Sequence, residues 1–360
     1  MTKSITSWMK KEHVPGLAAC VVRGTDIVWA EGFGMADLEN QIPFTPDRSI
    51  FQIASVSKVI TAVAIMQLRD KGHFRLDDDV SGHAGFTVRN PKFANQPITY
   101  RHLLRHVSSI RDTDGIYALY AVGDPTLTLQ EVVCGYFTEG SRYWHKKNFY
   151  SSQPGQREKY SNIGFALLGL LIENISGQSL NDYLRDNIYA PLGMVDTSFF
   201  IEDLDQGRQT FPYTYQSKPR RQLCPGDGDG NLLPSGAAPT AGFNKHALYS
   251  YPTLADGMVR TTVTQLARFM TAMMNDGQFQ GYQMLKPDTV SEMLSGDEQG
   301  LGWVRDGKYW GHDGGDPGCA SEMFFDRKDR FGFIILANAD VELDRVRPLI
   351  LSQARKSAVS

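Results

Sequence analysis

Two segments of the sequence place a serine three residues before a lysine, a spacing that suits an activated nucleophile. Ser55 and Lys58 open a long apolar stretch that is typical of a buried helix, and residues three apart lie on one face of a helix. An ammonium group beside the hydroxyl lowers the free-energy cost of deprotonating the serine, and the N–H groups at a helix N-terminus favour a developing anion. The alternative is a helix-capping serine beside a solvated lysine. Ser7 and Lys10 have the same spacing without the apolar helix.

A second candidate pair is Tyr160 and Asn162, which follow the turn signal of residues 153–156 and precede an apolar stretch from Ile163. In an extended segment, side chains two residues apart point the same way. A phenol near an ammonium group becomes more acidic and can act as a general base, and an amide beside it can orient a substrate carbonyl. The alternative interpretation is that Ser161 or Asn162 caps the following helix while Tyr160 packs against it.

A third candidate is His312, which lies in the glycine-rich segment Trp310–Gly318 just before a predicted strand. Glycines let a substrate approach the backbone closely. A histidine at a strand edge can donate to an oxyanion, relay a proton or bind part of an acyl chain. The alternative is a turn with a surface histidine. His83 begins the same short His-x-Gly pattern outside any such context, so the glycine-rich surroundings single out His312.

The elements that must position these residues are predicted from hydrophobic patterns. Residues 17–33 indicate a β-hairpin that turns at Gly24, and residues 320–336 repeat the design around a charged turn. The two ends of the chain are therefore expected to share one antiparallel sheet. Because helical patterns fill the middle, the patterns indicate a discontinuous α/β or α+β fold, of which α+β is the predicted class, with a sheet domain from residues 1–75 and 250–360 and an inserted helical domain from residues 76–249.

Helices are predicted where apolar residues recur with a period near 3.6. The segment 55–71 has a broad apolar face and ends before Gly72. Residues 203–251 are instead rich in proline, glycine and polar residues and indicate a long loop system. At the C-terminus, Pro348 predicts that a helix is kinked or begins only there. The other predicted helices are residues 100–105, 129–137, 163–175, 180–188, 264–275 and 287–294.

Taken in order, Ser-x-x-Lys, Tyr-x-Asn and His-x-Gly make the sequence resemble the superfamily of serine β-lactamases and penicillin-binding proteins. The resemblance is to the branch with class C β-lactamases, DD-peptidases, D-aminopeptidases and β-lactamase-like esterases. It covers nearly the whole chain and implies a sheet flanked by helices, together with a helical domain, with the active site in the cleft between them. Further segments support it: residues 14–18, 33–37, 76–80, 101–106, 191–194 and 257–259.

The resemblance implies a two-step acyl transfer, in which a serine is acylated and the acyl-enzyme is then hydrolysed without a metal or cofactor. Ser55 would be the nucleophile, and Lys58 and Tyr160 would handle its proton in a way that the sequence leaves open. The remaining roles are binding of the substrate and its oxyanion. They fall to Asn162, His312, Asp313 and Gly314 for the substrate, and to the backbone N–H groups of Ser55 and Gly315 for the oxyanion hole.

Two departures from the family pattern bear on the substrate. Where relatives have Lys-Thr-Gly or His-Thr-Gly, this chain has an aspartate, Asp313, between His312 and Gly314. If Asp313 faces the cleft, it repels a substrate carboxylate, which favours neutral esters and amides or substrates with a free amine that Asp313 or Asp316 could pair. The second departure lies in residues 106–110, where many relatives have Ser-Gly, so a reshaped loop with residues 111–114 near the cleft is expected.

The sequence therefore predicts a serine hydrolase that acts as an esterase or as a D-amino-acid amidase or peptidase. A β-lactamase and a non-catalytic ligand-binding protein are the alternatives. The expected partner is a small-molecule or short peptide substrate, with the oligomeric state left open. The 37 basic and 40 acidic residues give a net charge of −3, which argues against nucleic acid as a partner because phosphate-backbone binders carry a basic excess. The densest basic run is Lys218, Arg220 and Arg221.

Four further features of the sequence set expectations about location, metals and cysteines. The longest apolar run, residues 165–172, is too short to cross a bilayer. No signal peptide is visible, so the cytoplasm is expected for the chain as given, and the periplasm or medium if a signal was removed. Residues 227–231 begin like a calcium loop, but the expected glycine and glutamate are missing, so no metal site is predicted. The cysteines are expected to be unpaired thiols: Cys20, Cys134, Cys224 and Cys319.

Overall fold

The hairpins predicted at the two ends of the chain meet in one antiparallel sheet. In the computed structural model, which describes residues 2–215 and 240–357, strand β1 (Gly16–Arg23) pairs with strand β15 (Phe331–Ala337), with Leu17 opposite Ala337. The seven-stranded sheet runs in the order β12-β13-β14-β15-β1-β2-β3. The predicted α+β class, with a sheet built from both termini, is confirmed.

The strands take part in this sheet or in short two-stranded ribbons. In chain order they are β1 (Gly16–Arg23), β2 (Asp26–Asp37), β3 (Ile42–Pro43), β4 (Phe51–Gln52), β5 (Ala121–Val122), β6 (Tyr213–Tyr215), β7 (Phe243–Lys245), β8 (Tyr249–Ser250), β9 (Arg260–Thr261), β10 (Gln278–Phe279), β11 (Tyr282–Gln283), β12 (Val304–Asp306), β13 (Tyr309–Asp316), β14 (Cys319–Asp326) and β15 (Phe331–Ala337).

The helices lie on both faces of the sheet and fill the middle of the chain. In chain order they are α1 (Thr2–Glu12), α2 (Ser57–Asp70), α3 (Ser81–Ala84), α4 (Tyr100–Leu104), α5 (Asp114–Tyr117), α6 (Leu129–Phe137), α7 (Asn162–Ser176), α8 (Leu180–Leu184), α9 (Val263–Met274), α10 (Pro287–Met293) and α11 (Arg347–Ser357). Helix α8 continues directly into a five-residue π-helical turn, Arg185–Tyr189.

Strand β1 is apolar up to Val22 because both of its faces are buried there. Side chains alternate between the faces of a strand, so Ala18, Cys20 and Val22 enter the larger core with α2, α7 and α9. Leu17, Ala19 and Val21 instead enter a second core with α1 and α11. The sheet is therefore covered by helices on both sides, and its rigidity supports the residues at the end of β13.

Helix α2 is buried at every position from Ser57 to Leu68, as its broad apolar face predicts. The methionines of α9, Met270, Met273 and Met274, are core residues, also as predicted. Among the residues that the structure describes, no single helix is long and apolar enough to cross a membrane. Helices α7 and α8 with its π-helical turn meet those criteria only as a pair bent by 79°.

Some sequence predictions need correction. The glycine-rich segment around His312 does not precede a strand but forms one, β13, because its glycines pair in register with β14. Ser55 does not begin the α-helix; it lies in a preceding 3₁₀ turn, Ala54–Val56. The prediction for the C-terminus needs no correction: the helix begins at Arg347, beside Pro348, which therefore lies in its first turn, where a missing N–H costs nothing.

Other predictions fall on residues that the structure leaves aside. Cys224, the basic run Lys218–Arg221 and the calcium-like segment of residues 227–231 lie outside the described residues. Within them, Cys20, Cys134 and Cys319 are free thiols. The division into a sheet domain and an inserted domain at residues 75 and 250 stays a prediction.

Candidate active site

Ser55 is held at a sharp change of direction between a strand and a helix. Strand β4 ends at Gln52, and Ala54 adopts a φ of +43°, a conformation that costs free energy for a residue with a Cβ and is found where the surrounding structure enforces it. The 3₁₀ turn Ala54–Val56 then leads into α2. Ser55 is half-buried while its neighbours are fully buried, so its hydroxyl group is the accessible part of this turn.

The ammonium group of Lys58 lies beneath Ser55 and is fully buried. It donates hydrogen bonds to Ser55 Oγ at 3.1 Å, Asn162 Oδ1 at 2.7 Å and the backbone oxygen of Asp256 at 2.6 Å. An ammonium group has three donors, and three acceptors from three separate elements satisfy them. Burial without such partners would be costly, so these contacts explain how a lysine can occupy the core.

The hydroxyl group of Ser55 also accepts a hydrogen bond from the Tyr160 phenol at 2.8 Å. The Tyr160 ring lies 4.8 Å from Lys58 Nζ and 4.5 Å from the His106 ring, between ring centroids for the latter. His106 is buried and its Nδ1 accepts a hydrogen bond from the backbone N–H of Ser161 at 3.2 Å. His106 thus fixes both the ring and the backbone around Tyr160.

Asn162 is the first residue of α7, and the carboxylate of Asp112 anchors it there. Asp112 accepts hydrogen bonds from the backbone N–H groups of Asn162 at 2.8 Å and Ile163 at 3.1 Å. It also accepts from the Ser161 hydroxyl at 3.0 Å. The Asn162 side chain donates to the Tyr117 hydroxyl at 3.2 Å while its oxygen faces Lys58. A carboxylate suits the positive end of a helix, and here it also orients the Tyr-x-Asn segment.

Strand β13 passes directly over the turn that carries Ser55. A Cβ atom added at Gly314 would lie 2.8 Å from the backbone nitrogen of Ser55, so only glycine fits there. His312, two residues earlier on the same face, is buried, and its ring centroid lies 6.2 Å from that of Tyr160. Asp313 lies on the other face, opposite Glu322 of β14, and its side chain is 73% exposed.

Burial keeps both histidines near Ser55 neutral. Burial lowers the pKa of His106 well below its ordinary value, and the positive charges of Lys58 and His312 lower it further. Burial also lowers the pKa of His312, against the attraction of Asp313. Lys58 Nζ is therefore a positive charge held among neutral aromatic and imidazole rings, where its field acts strongly on Ser55 because the local dielectric constant is low.

The structure brings together Ser55, Lys58, Tyr160 and Asn162, and it places His312, Gly314 and Gly315 on the adjacent strand. It does not bring Asp313 onto the face that contacts Ser55. His106, Tyr117 and Asp256 were missed, because their contacts join segments far apart in sequence. Ser7 and Lys10 lie on α1, where both are exposed.

A sequence model described as Beta-lactamase matches residues 1–355 of the chain. The chain belongs to the β-lactamase family. As a member of that family, which includes the penicillin-binding proteins, it is a serine hydrolase. The prediction of this superfamily from the three motifs is confirmed.

Two curated proteins are similar in sequence to this β-lactamase family member. The name of one refers to penicillin binding, and the name of the other states no activity. Penicillin-binding protein 4* of Bacillus subtilis is 26% identical over 332 residues, which cover 89% of this chain and 67% of that protein. Protein flp of Staphylococcus aureus is 32% identical over 197 residues, which cover 55% of this chain and 37% of that protein. The chain thus spans about two thirds of the length of the first relative and about a third of the second in the matched region.

Solved structures similar to this β-lactamase family member share its fold over most of the chain. The octameric penicillin-binding protein homologue from Pyrococcus abyssi has a TM-score of 0.74 and 26% identity, covering 94% of this chain and 72% of that one. The D-amino acid amidase from Ochrobactrum anthropi has a TM-score of 0.73 and 23% identity, covering 94% and 91%. The second likeness establishes the fold alone.

Proposed function

We propose that this chain hydrolyses its substrate through an acyl-enzyme formed on Ser55. The observation that carries the proposal is that Ser55 Oγ lies within hydrogen-bond distance of two proton-handling groups, at 3.1 Å from Lys58 Nζ and 2.8 Å from the Tyr160 hydroxyl. A nucleophile and a base at this separation are the signature of nucleophilic catalysis. Ser7 and Lys10 have the same Ser-x-x-Lys spacing, but both are exposed on α1.

In the first step, Lys58 in its neutral amine form or Tyr160 in its phenolate form accepts the proton of Ser55, and Ser55 Oγ bonds to the acyl carbon of the substrate. The bond from the acyl carbon to the leaving oxygen or nitrogen breaks, and the leaving group takes up that proton. In the second step, water gives a proton to the same base and its oxygen attacks the acyl carbon, which releases the acid and restores Ser55. Every proton is assigned to a side chain, so the proposal invokes no metal or cofactor.

The surrounding residues suit the binding roles that this chemistry requires. The backbone N–H groups of Ser55 and Gly315 would stabilise the oxyanion, since Gly314 lets β13 approach the Ser55 turn closely. Asn162 would bind the acyl carbonyl or amide of the substrate. His312, neutral and buried beside Tyr160, would accept or donate a hydrogen bond at the leaving-group side without adding charge.

We propose esters or D-amino-acid amides and peptides as the substrates. A D-amino acid amidase among the solved structures shares the fold, and its name indicates the kind of acyl group that this scaffold accommodates. The side chain of Asp313, which is 73% exposed and lies 4.0 Å from His312 Nδ1, could pair with a substrate amine. The position of Asp313 away from the Ser55 face also weakens its repulsion of a carboxylate, which supports β-lactam hydrolysis as the second candidate.

The test is intact-mass spectrometry after incubation with a fluorophosphonate, which transfers its phosphonyl group to an activated serine and releases fluoride. We expect one adduct on the wild type, one adduct on Ser7→Ala and none on Ser55→Ala. A folded wild type that forms no adduct would contradict the proposal and favour a protein that binds ligand without turnover. If the wild type forms the adduct, unlabelled wild type is then assayed with three kinds of substrate. The rates of hydrolysis of D-aminoacyl amides, simple esters and a chromogenic cephalosporin distinguish the substrate classes.

A further inference from the structure

A buried acidic residue lies directly beneath the lysine of the candidate site. The 3₁₀ turn Leu254–Asp256 packs between α2 and α7. The backbone oxygen of Ala255 accepts a hydrogen bond from the Thr61 hydroxyl of α2 at 2.7 Å, and that of Asp256 accepts one from Lys58 Nζ at 2.6 Å. The backbone of this turn is therefore fixed against the lysine, and the Asp256 side chain has little freedom to leave the interior.

The Asp256 carboxyl group is only partly satisfied. It is 4% exposed, and its Oδ1 atom makes no hydrogen bond within residues 2–215 and 240–357. Thr253 provides a hydrogen bond to the side chain. The charged groups that face it are Lys58, from α2, and the carboxylate of Asp112, from the loop before α5. A buried carboxyl group with an unpaired oxygen costs free energy.

Burial raises the pKa of Asp256 to about 6 from an ordinary 3.8, although the attraction of Lys58 opposes the rise. The carboxyl group therefore changes its charge near neutral pH. Because it is the acid next to a buried ammonium group, that change alters the field at Lys58 itself.

We propose that Asp256 is a positioning residue for the Ser55 site: its buried carboxylate is the counter-ion of Lys58 and sets the pH range in which Ser55 reacts. The proposal rests on the proposed function, in which Ser55 is the nucleophile. It assigns Asp256 no contact with the substrate, and the effect passes through Lys58, whose remaining ionisable neighbours are Tyr160, His106 and His312.

The direction of the effect does not depend on which residue takes the serine proton. Lys58 loses a positive charge and Tyr160 gains a negative one when either becomes the base. A negative charge nearby opposes both changes, so removing it makes either base available at lower pH. Neutralising Asp256 should therefore move the rising limb of the pH profile of Ser55 reactivity towards acid.

The experiment measures the second-order rate of fluorophosphonate labelling from pH 5 to pH 10 for wild type and Asp256→Asn, an isosteric change that removes the charge alone. We expect the midpoint of the rising limb to fall by about one pH unit or more in the variant. Glu173→Gln is the matched control: Glu173 is also a partly buried carboxyl group whose pKa is raised by burial, but it lies near the far end of α7. Its midpoint should equal that of the wild type.

Each outcome decides a different question. Wild type that is not labelled at Ser55 defeats the proposed function. Wild type that is labelled, with Asp256→Asn showing the same midpoint, overturns only the role of Asp256, as does an equal fall in rate at every pH. If Asp256→Asn does not fold, Thr253→Val removes the hydrogen bond to the carboxyl group and should shift the midpoint in the same direction by a smaller amount; an unchanged midpoint there overturns the proposal.

Discussion

The two Ser-x-x-Lys segments of this protein have the same spacing and opposite surroundings. On α1, Ser7 and Lys10 are both exposed, while the two residues between them belong to the second core, the one formed with α1 and α11. At the start of α2, Lys58 is fully buried and its three donors all have acceptors, one of which is Ser55. The spacing alone thus creates no chemistry; a lysine becomes a reagent when the fold removes it from water and aims it at the hydroxyl group.

The acceptors that make this difference come from distant parts of the chain. Asn162 and Asp256 are 104 and 198 residues away from Lys58 in sequence. Lys10, by contrast, is exposed to solvent on α1. The comparison therefore predicts that changes at the buried lysine, and then at the residues that hold its surroundings, have the larger effects.

The largest effect is expected from Lys58→Met, which keeps a side chain of similar length and removes the ammonium group. We expect the rate of Ser55 acylation to fall by about 10²–10⁴-fold, the usual contribution of a positioned proton-transfer group. Pre-steady-state kinetics with a chromogenic ester measures it. Lys10→Met is the control and should react at the wild-type rate; equal losses in both variants would abolish the distinction between the two segments.

A smaller effect is expected from Asp112→Ala, which leaves Lys58 in place but removes the acceptor at the start of α7. Two backbone N–H groups, of Asn162 and Ile163, lose their partner. We expect the free energy of unfolding to fall by about 2–4 kcal/mol, with urea denaturation as the measurement. Asp114→Ala, at an exposed position two residues on, should change it by less than about 0.5 kcal/mol. A wild-type stability for Asp112→Ala would show that α7 does not depend on this carboxylate.

The smallest effect concerns how stability depends on pH. Because the pKa of Asp256 is raised to about 6 in the folded protein, ionising it opposes folding, so stability is lost as the pH rises from about 4 through 6. Asp256→Asn removes this loss. The variant should match the wild type at pH 4 and exceed its free energy of unfolding by up to about 3 kcal/mol at pH 8, the equivalent of about two pKa units.

Urea denaturation at both pH values checks this expectation, with Asp26→Asn at the exposed start of β2 as the control. If the variant is less stable than the wild type at pH 8, the ionised Asp256 carboxyl group stabilises the folded protein. That result would contradict the expectation that its ionisation lowers the free energy of unfolding. Together with a shifted pH profile for labelling, a gain in stability would identify a residue retained for reactivity.

Much of the site could be predicted because short sequence patterns identify its residues. Ser55 and Lys58 precede an apolar helix, and Tyr160 and Asn162 precede another. The hairpins at both ends could be predicted because alternation and turn residues are short-range signals. His312 was predicted to lie just before a strand and instead lies within β13, and its burial was not foreseen, because the glycines at 311 and 314 are typical of a turn unless β14 pairs with them.

The rest depended on contacts that no local pattern encodes. Asp256 carries no motif, and its burial follows from packing between α2 and α7. His106 was noted only as part of an altered loop, yet its ring lies 4.5 Å from that of Tyr160. The orientation of Asp313 followed from strand register, because a shift of one residue would have exchanged it with His312.

The close approach of β13 to Ser55 also governs how this enzyme can change over time. At position 314 any side chain would collide with the Ser55 backbone. A substitution there would therefore disturb the reactive turn and reduce the reactivity of Ser55. One residue earlier, Asp313 stands mostly in solvent on the opposite face, and its replacement leaves the reactive turn undisturbed. Two adjacent positions of one strand therefore differ in the substitutions they tolerate. Position 314 must remain glycine, whereas substitutions at position 313 can change the substrate preference.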